Sequence, residues 1–154
     1  VPILFWRYQI KLNLFNQVLI LNKITYKIAL NPKKIFLIDG LGAILSAFLL
    51  VAIAIYESLF GMPAETLYIL AVIPCVFAIY DFNCYNQIKK NHQFFLKIII
   101  WANLTYCFVS IGLLMYHYKK ITALGWTYFF LEIVIISILV YVEMKIMHHL
   151  SRKN

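Results

Sequence analysis

The chain of 154 residues is 64% hydrophobic and only 13% charged, with a mean hydropathy of +0.83 and a formal net charge of +8. Such a composition lies far outside soluble averages and speaks for a membrane protein of one domain. The excess charge does not point to nucleic acid: residues 1–34 carry Arg7, Lys11, Lys23, Lys27, Lys33 and Lys34 without an acid, the rest nearly balances, and no basic groove is interleaved with aromatics.

Residues 1–34 form a basic leader that lacks Gly, Asp, Glu, His, Ser, Met and Cys. Arg7 to Leu14 alternates with the period of a strand, and no small-residue cleavage site follows an apolar run. Three readings stand for it. It is an interfacial segment lying on anionic lipid, a loosely ordered tail, or translated upstream DNA whose AT-rich codons encode these residue types, with the working protein beginning near Ala29–Lys34.

Four apolar spans follow, at about 35–56, 67–86, 94–116 and 123–144, each long enough to cross a hydrocarbon core of roughly 30 Å. The first carries a stripe of small residues, Gly42, Ala43, Ser46 and Ala47, at the spacing that lets a neighbouring helix approach closely in lipid. Gly61 and Pro63 break the chain before the second span, which Ser58 or Thr66 is expected to cap. Pro74 interrupts the second span and frees a carbonyl near Leu70. Residues 87–93 form the middle loop and 117–122 a short turn, and residues 146–154 are a basic tail. The expected fold is therefore an all-α membrane protein, four transmembrane helices in an antiparallel bundle.

Orientation follows from charge. With four spans both termini share a side, which collects Lys33, Lys34, Lys89, Lys90, Lys145, Arg152 and Lys153, so the positive-inside rule makes both termini cytoplasmic. Tyr56, Tyr68, Tyr116, Trp126 and Tyr128 then read as an outer aromatic belt, and Tyr80, Tyr85, Phe94 and Tyr141 as an inner one. The hairpins 35–86 and 94–145 are equal in length, a match that either duplication or shared aromatic belts explains.

Polar groups at membrane depth are the candidates for chemistry. Asp39, Asp81, Lys97 and Glu143 fall near the cytoplasmic boundary, one per span, as an interfacial salt-bridge cluster or a vestibule for a cation or proton. Glu132 stands near the bilayer midplane, where a charge costs about 3 kcal/mol or more, with Asn103 and Thr105 at comparable depth as expected hydrogen-bond partners. Cys75, Cys84 and Cys107 have no CxxC spacing and read as inert core thiols. His148 and His149 are adjacent, about 100° apart on a helix, and chelate poorly; no metal or cofactor site and no catalytic motif is read.

The run KKIFLIDGLGA, the FGMP turn, and the tract ANLTYCFVSIGLLMYHY followed by TALGWTYFFLE resemble a group of small four-span integral membrane proteins of bacteria. The resemblance covers residues 33 to about 145 and implies a multi-pass protein of the bacterial inner membrane, with no activity attached. Two functions are carried forward. The first is a non-enzymatic accessory module acting in a homo-oligomer or larger membrane complex, with the lipid bilayer as its other partner. The second is a small transporter or channel for protons, cations or a small metabolite, built on Glu132 and the layer of Asp39, Asp81, Lys97 and Glu143.

Overall fold

A computed structural model describes residues 2–29, 31, 33–88 and 91–151, and among them every regular element is helical. The order is α1 (Pro2–Ala29), α2 (Lys33–Ile55), α3 (Glu57–Phe60), α4 (Ala64–Gln87), α5 (His92–Tyr116) and α6 (Ala123–Ser151). Four of these, α2, α4, α5 and α6, are long and apolar enough to cross a membrane. These helices overlap the spans read from the sequence with shifted ends: α2 stops at Ile55, α4 begins three residues earlier, at Ala64, and α6 runs on through the basic tail to Ser151. Lys89, Lys90, Arg152 and Lys153, on which part of the orientation argument rests, lie outside the described residues.

The strand-like alternation of the leader is overruled. Pro2–Ala29 is one continuous helix that touches α6, with Trp6, Ile10, Leu14 and Phe15 exposed. Isoleucine, leucine and asparagine tolerate either state, and no glycine or internal proline interrupts the run.

Packing is uneven around the bundle. α2 lies against α4 over most of its length and α5 pairs with α6, whereas α2 and α6 barely touch. Gly40 makes the α2–α4 approach possible near one end: a Cβ there would stand 3.1 Å from the Asp81 Cβ. The expected stripe behaves differently. Ala47 is buried, but Gly42 is exposed with open space where a Cβ would point, so it supports no close helix crossing.

Two apolar clusters close the two ends. At the Met62 end, Leu50, Ile53, Leu67, Leu70, Leu114 and Phe129 pack around Met62. The turns over this cluster interlock. Gly61 adopts φ 75°, and a Cβ on it would fall 1.9 Å from the Lys120 carbonyl oxygen. Thr122 joins the turns by donating its backbone N–H to the Phe60 carbonyl (3.1 Å) and its hydroxyl to the Leu59 carbonyl (2.6 Å). The same hydroxyl accepts the Gly125 N–H at 3.3 Å and so caps α6. Neither Ser58 nor Thr66 caps α4: Pro63 holds the cap position, and Glu57 Oε2 accepts the Ala64 N–H at 2.7 Å. A carboxylate at a helix N-terminus is favoured by the helix dipole, which a hydroxyl does not exploit as strongly. At the opposite end, Ile35, Phe36, Ile88, Leu96, Val140 and Ile146 form the second cluster.

Hydroxyls that face outward find partners on their own helices. Thr105, Thr127 and Ser137 donate to the carbonyls of Trp101, Ala123 and Ile133, one turn back, at 2.8, 2.8 and 2.7 Å. In lipid this is the available way to satisfy a lone hydroxyl.

Candidate functional site

Glu132 projects from the first half of α6 into the bundle and is buried. Its Oε1 accepts three hydroxyls: Ser46 from α2, Tyr106 from α5 at 2.9 Å, and Tyr128 from the preceding turn of α6 at 3.4 Å. Its Oε2 is buried and has no protein donor. The two oxygens of one carboxyl are thus in opposite situations.

Thr105 is not a partner of Glu132. It is exposed and bonded to its own backbone, because two residues from Asn103 is about 200° around the helix, the opposite face. Asn103 is buried, but it too leaves Glu132 alone and donates both 3.2 and 3.3 Å contacts from Nδ2 to the Asp39 carboxyl. The true partners, Tyr106 and Tyr128, escaped the sequence reading. Tyr128, an aromatic-belt position by its place at the helix end, lies four residues before Glu132 and therefore on its face. Tyr106 lies three residues after Asn103 and shares its buried face. The other belt members, Tyr56, Tyr68, Tyr116 and Trp126, are exposed as expected.

The predicted layer of four ionisable groups is reduced to three. Asp39, Asp81 and Glu143 are buried, with Asp81 and Glu143 at 0% exposure. The three carboxyls lie near enough to act on one another electrostatically, and the Asp81 Cβ packs at Gly40, next to Asp39 in the chain. Lys97 is exposed instead. Six residues before Asn103 on α5 is about 120° away around the helix, which puts Lys97 beyond the buried face that holds Asn103. No buried lysine or arginine compensates the trio among the described side chains. Neither carboxyl oxygen of Asp81 or of Glu143 has a hydrogen-bonding partner. Three carboxyls in such a setting are not all charged at once; they share protons or require a cation. Among the described residues no set of three or more His, Cys, Asp or Glu has the arrangement of a metal site.

A cavity of about 300 Å³ is lined by Glu132 and, of the trio, by Asp39 alone. Its polar lining is Glu132, Ser46, Tyr106 and Tyr128 together with Asp39 and Asn103. Its walls are apolar, with Leu45 and Leu49 from α2, Phe77 from α4, and Leu131, Ile135 and Leu139 from α6. Gly42, Ala43 and Pro74 also border it, so Gly42 and Ala43 create room rather than helix contact, and Pro74 sits where the cavity meets α4. Leu45, Leu131 and Ile135 are exposed, which places the mouth at the side of the bundle, along the seam where α2 and α6 barely touch. Of the cysteines, Cys84 and Cys107 are buried thiols as expected, but Cys75 is exposed on the outer surface of α4. No family model, curated protein or solved structure matches the chain.

Proposed function

We propose that this chain is a small membrane transporter that moves protons, alone or exchanged for a small solute, between Glu132 and the Asp39–Asp81–Glu143 trio. The observation that carries the reading is that one cavity is lined by both Glu132 and Asp39. Buried acids without a buried lysine or arginine among the described side chains are costly in a bilayer, and their usual reason for being there is proton or cation traffic. The trio lacks metal-site geometry, which favours protons over a bound divalent ion. On this reading the bundle is antiparallel, sits in the inner membrane of a bacterium as the resemblance implies, and has cytoplasmic termini. Lys33, Lys34, Lys89, Lys90, Lys145, Arg152 and Lys153 on the terminal side, against Lys119 and Lys120 on the other, support that orientation.

Purified protein in liposomes loaded with a pH-sensitive dye tests the proposal. Wild type dissipates an imposed proton gradient, and folded Glu132→Gln, which cannot change charge, does not. Unaltered flux in the folded variant rules out an ionising role for Glu132. A second reading, an accessory module within a homo-oligomer or larger complex, is favoured by the loose α2–α6 seam with exposed Gly42, Leu45 and Phe48 beside it. A stoichiometric partner retained through purification, together with absent flux, would prefer that reading. A reporter fused after Asn154 that signals from the far side of the membrane would reverse the orientation.

A further inference from the structure

We infer that the cavity between α2 and α6 is a binding site for one bilayer lipid, which lodges an acyl chain lengthwise along the seam and leaves its headgroup outside. The inference goes beyond the transport reading and does not rest on it.

The shape of the cavity is the first support. Its lining runs from Asp39 to Leu49 on α2 and from Tyr128 to Leu139 on α6, so it extends about 15 Å along the helix axes. About 300 Å³ over that length is a slot of roughly 20 Å² in cross-section, about 5 Å wide. Non-bonded carbons sit about 3.5–4 Å apart, so a slot of that width takes a single hydrocarbon chain. It follows two membrane-spanning helices and therefore runs roughly parallel to the lipid chains around them. A helix, about 10–12 Å across with its side chains, is too wide to enter, so a second copy of the protein can only cover the mouth.

The lining leaves little for a polar entrant. Of its side-chain donors, Ser46, Tyr106 and Tyr128 already donate to Glu132 Oε1, and the Asn103 amide donates to the Asp39 carboxyl. An anion or a carbonyl compound therefore finds no unused donor among these side chains. Glu132 Oε2 is buried out of reach, so an ammonium or a hydroxyl gains nothing from it. The remaining walls are chiefly leucine, isoleucine and phenylalanine. Apolar walls of this kind exclude water, and walls left without neighbours forfeit their dispersion contacts. A methylene chain restores those contacts and requires no hydrogen bond.

Access decides where the chain comes from. Leu45 stands at the middle of α2 and Ile135 near the middle of α6, and with Leu131 these exposed residues border the mouth. At that depth a spanning helix is surrounded by hydrocarbon. The interlocked turns and the Met62 cluster lie over one end of the bundle, and the cluster around Phe36 and Val140 lies at the other. The seam itself is loose, because α2 and α6 barely touch. An acyl chain of the surrounding bilayer is therefore the material that meets the mouth, and it arrives already aligned with the slot.

The test is native mass spectrometry of the full chain, stripped of lipid in maltoside detergent and titrated with dioleoylphosphatidylcholine. Expected are a saturating adduct of one lipid per wild-type chain, affinity for dioleoylphosphatidylglycerol within about threefold, and no adduct of dihexanoylphosphatidylcholine, whose chains are too short to fill the slot. Ala43→Phe fills the slot, and Gly42→Leu narrows it from a position whose Cβ meets nothing within 4 Å. Both should bind the dioleoyl lipid at least about tenfold more weakly, with circular dichroism and elution volume those of wild type. Absence of a saturating adduct on folded wild type, or unchanged binding in both folded variants, would overturn the inference. Tight binding of phosphatidylglycerol alone would overturn it in favour of headgroup recognition, and a lipid-free dimer in favour of a second copy over the seam. Should neither variant fold, equal binding of the dihexanoyl and dioleoyl lipids by wild type still overturns it. Proton flux without a retained lipid leaves the transport reading standing and removes this inference. A retained lipid without flux does the reverse.

Discussion

The two ends of the bundle are built on opposite principles. At the Met62 end, apolar side chains pack around one another and the turns lock through Gly61, Thr122 and Gly125, with the polar groups described there paired. Toward the Ile35 end, Asp81 and Glu143 are fully buried without hydrogen-bonding partners, and Tyr80 and His92 also bury polar atoms that lack one. Tight packing and unpartnered polar groups are therefore separated along the bundle. One end holds the helices together, and that hold lets the other retain groups which would be costly in lipid. The Glu132 site lies between these extremes, with one carboxyl oxygen saturated and the other buried without a partner.

Substitutions at the two ends should consequently have opposite signs. The largest effect is expected for Gly125→Val. A Cβ at this position would lie 2.3 Å from the Phe60 carbonyl oxygen and 2.8 Å from the Ile121 side chain, so the turns must separate. We expect a loss of about 3 kcal/mol in unfolding experiments in detergent, at the upper end of overpacking costs. An unchanged midpoint would show that the interlock contributes nothing.

Glu143→Met should move stability the other way. It replaces a buried, unpartnered carboxyl by an apolar chain of similar length, and a gain of about 1–3 kcal/mol is expected, the range assigned to an unsatisfied buried polar group. Proton flux in liposomes should fall in the same variant. A variant that is both less stable and fully active would erase the contrast between the ends.

Thr122→Val keeps the shape of the side chain but removes the hydroxyl that caps α6 and reaches Leu59. About 1 kcal/mol should be lost, and Thr122→Ser should recover most of it, as measured by thermal unfolding.

The smallest change in stability is expected for Glu132→Gln, because the amide oxygen can still accept the hydroxyls that converge on Oε1. Net interhelical hydrogen bonds in membranes are worth about 0.6 kcal/mol, which bounds the loss. Glu132→Leu should be worse than Glu132→Gln, since it removes the acceptor from Ser46, Tyr106 and Tyr128 together. If the two variants unfold at the same midpoint, the hydroxyl cluster does not anchor α6 to α2 and α5.

The number of spanning helices and their approximate limits were legible in the sequence because bilayer thickness imposes a long apolar run on every crossing. So was the anomaly of Glu132, a carboxyl in the middle of such a run. What the sequence hides is which side of each helix faces inward. In a soluble bundle the outward face is polar, but here lipid-facing and interior residues are both apolar, and the pattern loses its contrast. Helix geometry retained part of the answer, separating Lys97 and Thr105 from Asn103 by angle and placing Tyr128 with Glu132. The rest came only from the packing of helices distant in sequence. That packing brought Ser46 to Glu132 across 86 positions and Asn103 to Asp39 across 64, and left Gly42 beside a cavity instead of a helix. Local spacing fixes where a side chain points on its own helix, but only the mutual rotation of the helices decides what it meets.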